Sequence, residues 1–140
     1  MNYLLDTCVV SELISRQPNS QVLDWLRNLP SERIFLSVLT IGEIQRGIKK
    51  LPDSNRKQEL SEWLKSELLE RFQNRILAID TEIMLGWGEL IADLERQGRI
   101  LPAVDSILAA QALTFGLQFV TRNEKDFAGT GIQIINPWQI

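Results

Sequence analysis

The sequence predicts an α/β protein: a mainly parallel sheet of four or five strands with helices on both faces. Three observations predict it. Short apolar runs recur at positions 3–5, 34–36, 76–79 and 118–121. Longer stretches with apolar residues three and four apart separate them. And 44% of the 140 residues are hydrophobic, enough to cover a sheet on both sides.

Each element has a local reason. Tyr3-Leu4-Leu5 is a short apolar strand, and Asp6-Thr7 can cap a helix with Val9, Val10, Leu13 and Ile14 on one face. After the loop 17–20, Ser20 can cap a second helix carrying Val22, Leu23, Trp25, Leu26 and Leu29, ended by Pro30-Ser31. Ile34-Phe35-Leu36 predicts the second strand. A helix over 38–51 follows, with Ile41, Ile44 and Ile48 at helical spacing. Pro52-Asp53-Ser54 breaks it, and 55–72 predicts one long amphipathic helix with Leu60, Trp63, Leu64 and Leu68 inward. Residues 76–79 form the third strand, and Asp80-Thr81 caps a helix reaching Gln97-Gly98. The alanine-rich stretch 103–115 predicts a buried helix ended by Gly116, and 118–121 the fourth strand. A polar loop over 122–131 leads to an edge strand at 132–135.

Composition narrows the chemistry. There is no histidine, which excludes Ser-His-Asp and Cys-His catalysis, histidine acid–base chemistry and most zinc sites. The lone Cys8 forms no internal disulfide and reads as a small buried residue in a chain of the reducing cytoplasm. No stretch has the roughly 20 apolar residues of a membrane span, and the N-terminus lacks a basic signal region. The net charge of -3 is not the footprint of a general nucleic-acid binder.

Carboxylates are therefore the candidates for catalysis. Asp6 follows the first strand, Glu43 lies on the helix after the second, Asp105 opens the alanine-rich helix, and Asp126 lies beyond the fourth strand. Ligands bind at the carboxyl ends of strands in such folds. Two carboxylates about 4 Å apart repel by roughly 4 kcal/mol at an effective dielectric near 20, so such a cluster needs protons or cations. Oxygen donors without histidine favour Mg²⁺ or Mn²⁺, which suit phosphodiester hydrolysis. Each acid also has a structural reading. Asp6 and Asp105 could be helix caps, as Asp80 is. Glu43 could pair with Arg46 or Lys50, and Asp126 could be a solvated loop residue.

LLDTCVVSEL, LSVLTIGEIQRG, DSILAAQAL and FVTRNEKDF, in that order and through the closing INPW, resemble the PIN-domain ribonucleases, most nearly the VapC and FitB-like toxins of type II toxin–antitoxin pairs. The resemblance implies a PIN-like three-layer α/β/α fold in a single domain over 1–140. It implies an endoribonuclease in which Mg²⁺, or Mn²⁺, activates water. It maps the family's catalytic and metal-binding acids onto Asp6, Glu43, Asp105 and Asp126, with Asp6 and Asp105 the principal ligands. Thr121 matches the family's supporting hydroxyl. Asn123 stands where many relatives carry an acid, which ranks Asp126 below the other three. Arg122 and Lys125 lie near the implied site as candidate RNA contacts. The implied partners are an RNA substrate, a small antitoxin that blocks the cleft, a second copy in a homodimer, and operator DNA reached only through the antitoxin. The rival expectation is a non-catalytic PIN-fold module acting in a transcription-regulating complex with its antitoxin. An aspartyl-nucleophile phosphatase fits less well, because Cys8 stands where those enzymes carry their second aspartate.

Overall fold

A computed structural model describes residues 1–140. Five strands, β1 (Tyr3–Leu5), β2 (Ile34–Ser37), β3 (Ile76–Leu77), β4 (Gln118–Val120) and β5 (Ile134–Ile135), run parallel in the order β3-β2-β1-β4-β5. Helices α1 (Thr7–Glu12), α2 (Ser20–Arg27), α3 (Val38–Lys50), α4 (Asn55–Trp63), α5 (Leu69–Arg71), α6 (Thr81–Arg96) and α7 (Ala103–Phe115) connect them.

The pleat sorts side chains into two cores. Successive residues of a strand point to opposite faces. Leu5 and Val120 pack with Val9 and Val10 of α1, Val22 and Leu26 of α2, and Trp63 of α4. Leu4 and Phe119 pack on the other face with Leu90 and Leu94 of α6 and Leu108 of α7. All four central strand residues are at most 1% exposed. The sequence runs outward from β1 to β2 and β3, then returns to its other side for β4 and β5. That reversal leaves a crevice beyond the carboxyl ends of β1 and β4, the place where open α/β sheets bind ligands.

Several boundaries differ from expectation, each for a local reason. Asn19, not Ser20, caps α2: its side chain accepts from the Val22 N–H at 3.1 Å, and Ser20 is already helical. The long helix over 55–72 carries a π turn at Leu64–Leu68 between α4 and α5, while Trp63, Leu64, Leu68 and Phe72 still face one core. β3 stops at Leu77 because Gln111 Nε2 donates to the carbonyls of Leu77 and Ala78, at 3.3 and 3.2 Å, in place of a ladder. β5 begins at Ile134 rather than 132. The polar segment 122–131 is pinned rather than merely solvated. A 3₁₀ turn at Glu124–Phe127 buries Phe127 against Phe119, with ring centroids 4.6 Å apart.

Asp80 accepts from the Ile83 N–H at 3.0 Å and caps α6. Asp80→Ala is expected to lower stability by about 1 kcal/mol in urea denaturation. Leu4→Ala, which opens a cavity at the centre of the sheet, is expected to cost roughly 2–5 kcal/mol. Equal losses for the two variants would contradict this division between cap and core.

Candidate active site

Asp6 sits where β1 ends. Its N–H continues the sheet ladder to the Val120 carbonyl at 2.9 Å, which fixes the backbone beside β4. Its side chain is the N-cap of α1: Oδ1 accepts from the Thr7 N–H at 2.8 Å. Oδ2 accepts from the fully buried Thr121 hydroxyl, also at 2.8 Å. Thr121 Oγ1 in turn accepts from the Asn123 N–H at 3.0 Å. Asn123 thus contributes its backbone to the turn after β4, while its side chain is exposed. Cys8 Sγ lies 3.8 Å from both Asp6 Oδ2 and Thr121 Oγ1, close enough to fill the space beside the carboxylate.

Thr7 extends this network to α3. Its hydroxyl donates to Glu43 Oε1 at 2.6 Å and lies 3.5 Å from the buried Thr40 hydroxyl. Glu43 therefore bonds across helices, and neither Arg46 nor Lys50 forms a salt bridge with it. Sequence reasoning missed Thr7 except as part of a cap. The available signal was a second hydroxyl-bearing residue directly after the strand-end aspartate.

Asp105 lies in the first turn of α7 but makes no capping hydrogen bond; Pro102 occupies the N-cap position. The half-buried Asp105 lines a pocket of about 310 Å³ together with the exposed Asp126 and Lys125. Glu43 and Thr7 line a separate, more apolar groove between α1, α3 and α4, walled by Ile14, Ile44, Ile48, Leu60 and Trp63. Asp6 is buried next to Thr7, on one side, and is felt by Asp105, on the other. No three of these acids are gathered into a closed cage for one ion. Arg122 does not line the Asp105 pocket; its guanidinium lies 5.4 Å from the centroid of the Trp138 ring. The other tryptophans are structural. Trp25 packs edge-on against Tyr3, Trp63 is in the core, and Trp87 Nε1 donates to Ser106 Oγ at 2.7 Å.

The carboxylates act on one another. Burial first, and then the charges of Asp6, Asp126 and Glu43, together push Asp105 up to about 6. Burial also raises Asp6; the hydrogen bonds from Thr121 and Thr7 pull against it, and the Glu43 charge adds to the rise. None of the four acids takes part in a salt bridge. The site is an all-oxygen donor set whose mutual repulsion no Lys or Arg relieves.

A family model described as the PIN domain matches residues 3–132. The plasmid stability protein StbB of Pseudomonas syringae pv. tomato is 38% identical, over 97% of this chain and 98% of its own. The VapC ribonuclease Y4jK of Sinorhizobium fredii is 31% identical over 97% of each chain. The toxin FitB of Neisseria gonorrhoeae is 33% identical over 96% of this chain and 97% of its own. Among solved structures, FitAB bound to an IR36 DNA fragment matches with a TM-score of 0.93 and 30% identity, covering 99% of this chain and 96% of that one.

The Asp105 shift has a thermodynamic consequence. A carboxyl raised to about 6 when folded, against roughly 3.9 unfolded, holds its proton more tightly in the folded state. Folding stability therefore falls as pH rises from about 4 to about 6, and stays lower above that. Asp105→Asn removes the loss. In EDTA, its thermal melt is expected above wild type at neutral pH, with the two curves converging as pH falls towards about 4. A neutral-pH melt below wild type would mean that an opposite charge holds this carboxylate.

Proposed function

The chain belongs to the PIN-domain family, and on that premise we propose that it is a divalent-metal-dependent endoribonuclease, the toxin of a toxin–antitoxin pair. The observation that carries the reading is the Asp105 carboxyl, pressed by three other carboxylates with no cationic side chain paired to any of them. The names of its relatives support the reaction class, a VapC ribonuclease and the toxin FitB among them.

The donors fit Mg²⁺ or Mn²⁺. They are hard oxygens, and Mg²⁺ is usually held by one or two carboxylates while water and substrate phosphate fill its other positions. An open array suits that mode better than a closed three-ligand cage would. Asp6 and Asp105 are the residues that would hold the ion, with Glu43 and Asp126 at the edges. A hard divalent cation supplies Lewis-acid activation of water and offsets charge on the phosphate.

The chain's own residues do the positioning. Thr121 and Thr7 hold the Asp6 carboxylate in one rotamer by two bonds of 2.8 Å each. Thr7 occupies Glu43 Oε1, leaving Oε2 free to accept from a water that attacks phosphorus. Lys125, on the wall shared with Asp105, can meet a phosphate of the RNA. Arg122, stacked on Trp138, can meet one farther out. The apolar groove ending at Glu43 offers a small antitoxin a place to lie across the acids. Operator DNA would be reached through that partner, in the manner suggested by the FitAB complex with DNA.

The test is cleavage of total cellular RNA by the antitoxin-free chain, with Mg²⁺ and with EDTA. Wild type is expected to give discrete fragments in Mg²⁺ only. Asp105→Asn and Asp6→Asn are expected to lower the rate by at least about 100-fold, beyond what loss of an outer-shell partner costs. Equal cleavage by folded Asp105→Asn would place the chemistry elsewhere. A folded wild type that cleaves nothing would favour a binding module acting with its antitoxin.

A further inference from the structure

The Asp105 pocket holds a second kind of group. Arg99, in the loop between α6 and α7, lines it together with Lys125, Asp105 and Asp126. Arg99 is half-buried, yet it forms no salt bridge. The side-chain hydrogen bonds that arginines make in this chain belong to Arg56, Arg75 and Arg96. Arg99 therefore holds a guanidinium with five donors at the pocket wall and no protein acceptor for them.

Two glycines put it there. Gly98, at φ +72°, ends α6, with its N–H on the Glu95 carbonyl at 3.0 Å and the Arg99 N–H on the Leu94 carbonyl at 2.9 Å. This Schellman turn fixes the backbone of Arg99, three residues past the end of α6. Gly129, at φ +82°, lies against the Arg99 side chain, and a Cβ there would collide with Arg99 Nη1. The guanidinium packs against the bare backbone of Gly129.

We propose that Arg99 forms a phosphate subsite of the ribonuclease centre, binding a backbone phosphate of single-stranded RNA that flanks the one reacting at the carboxylates. The inference rests on the nuclease reading above. Three features point to phosphate. The planar fork matches phosphate oxygens in a bidentate mode. The guanidinium is more than 4 Å from every carboxylate oxygen, so it is not consumed by the acids next to it. It faces the same cavity as Asp105, so one strand can reach both. Single strands are favoured because unstacked RNA segments are where selective readers act.

The test uses the full-length chain carrying Asp105→Asn, which binds without cutting. A fluorescein-labelled single-stranded RNA of randomised sequence is titrated by anisotropy across a KCl series. Adding Arg99→Ala is expected to weaken binding roughly tenfold, as for loss of one charge-assisted contact. It is also expected to reduce the slope of log K against log salt by about 0.7, the value for one phosphate on a single strand. Arg99→Lys is expected to restore the slope and part of the affinity. An unchanged affinity and slope in Arg99→Ala overturns the subsite, as does failure of the Asp105→Asn chain to bind RNA at all. Weakened antitoxin capture with RNA binding intact also overturns it, assigning the guanidinium to a protein carboxylate. Cleavage of the same RNA by wild type in Mg²⁺ separates the two claims. An Arg99-dependent slope without cleavage defeats the nuclease reading and leaves the subsite standing; cleavage with an unchanged slope does the reverse.

Discussion

The burial of one carboxylate organises the crevice. Asp6 is 7% exposed at the end of the central strand, where an unpaired charge would be strongly unfavourable. It is tolerated because each oxygen has a donor, one from the backbone of α1 and one from the hydroxyl of Thr121. Its own N–H is tied to β4. Three chain segments, the end of β1, the start of α1 and the turn after β4, are thereby fastened to one residue. A cap and a ligand were offered by the sequence as competing roles for Asp6. In the structure they are not exclusive, since a carboxylate that caps a helix at a strand end already stands at the mouth of the crevice.

Asp105 is arranged against the folded state rather than for it. Asp105 gains no cap bond and no cationic partner, and its carboxyl is shifted upward by burial and by its neighbours. A structural acid would show the opposite, a depressed pKa from a donor or a counter-charge. Perturbation by burial and like charge in a cleft marks functional sites more often than structural ones. The contrast with Asp80 makes this concrete. Asp80 has the same sequence setting as Asp6, strand then Asp-Thr then helix, and caps α6 through the Ile83 N–H. It follows an outer strand, β3, away from the reversal between β1 and β4.

Much of this was legible in the chain. Strand and helix identities follow from apolar spacing, and the strand-end placement of Asp6 follows from Leu4-Leu5 preceding it. Positions at or after strand ends singled out all four acids, and the resemblance to PIN domains assigned their roles and added Thr121. What sequence could not show were contacts between distant segments. Thr7 bonding to Glu43 spans α1 and α3, and Gln111 capping the carbonyls of Leu77 and Ala78 shortens β3 from across the sheet. Asn19 and Ser20 are both good caps, and only geometry chooses between them. The polar look of residues 122–131 hid the anchor Phe127, whose partner Phe119 lies in a strand read separately.

Arg99 was passed over for the same reason. Proximity in sequence to Thr121 and Asp126 favours Arg122 and Lys125. The fold reverses part of that order, sending Arg122 to Trp138 and bringing Arg99 into the Asp105 pocket through the loop after α6. The proposed subsite also reconciles a net charge of -3 with the proposed action on RNA. A field of one sign over the whole surface is what gives unselective binding its strength. Here a single unpaired guanidinium and one lysine share a pocket with the carboxylates Asp105 and Asp126. Under the proposed function, binding strength depends on a strand placing one phosphate at the acids and another at the arginine, a demand on geometry that an unselective basic patch would not make.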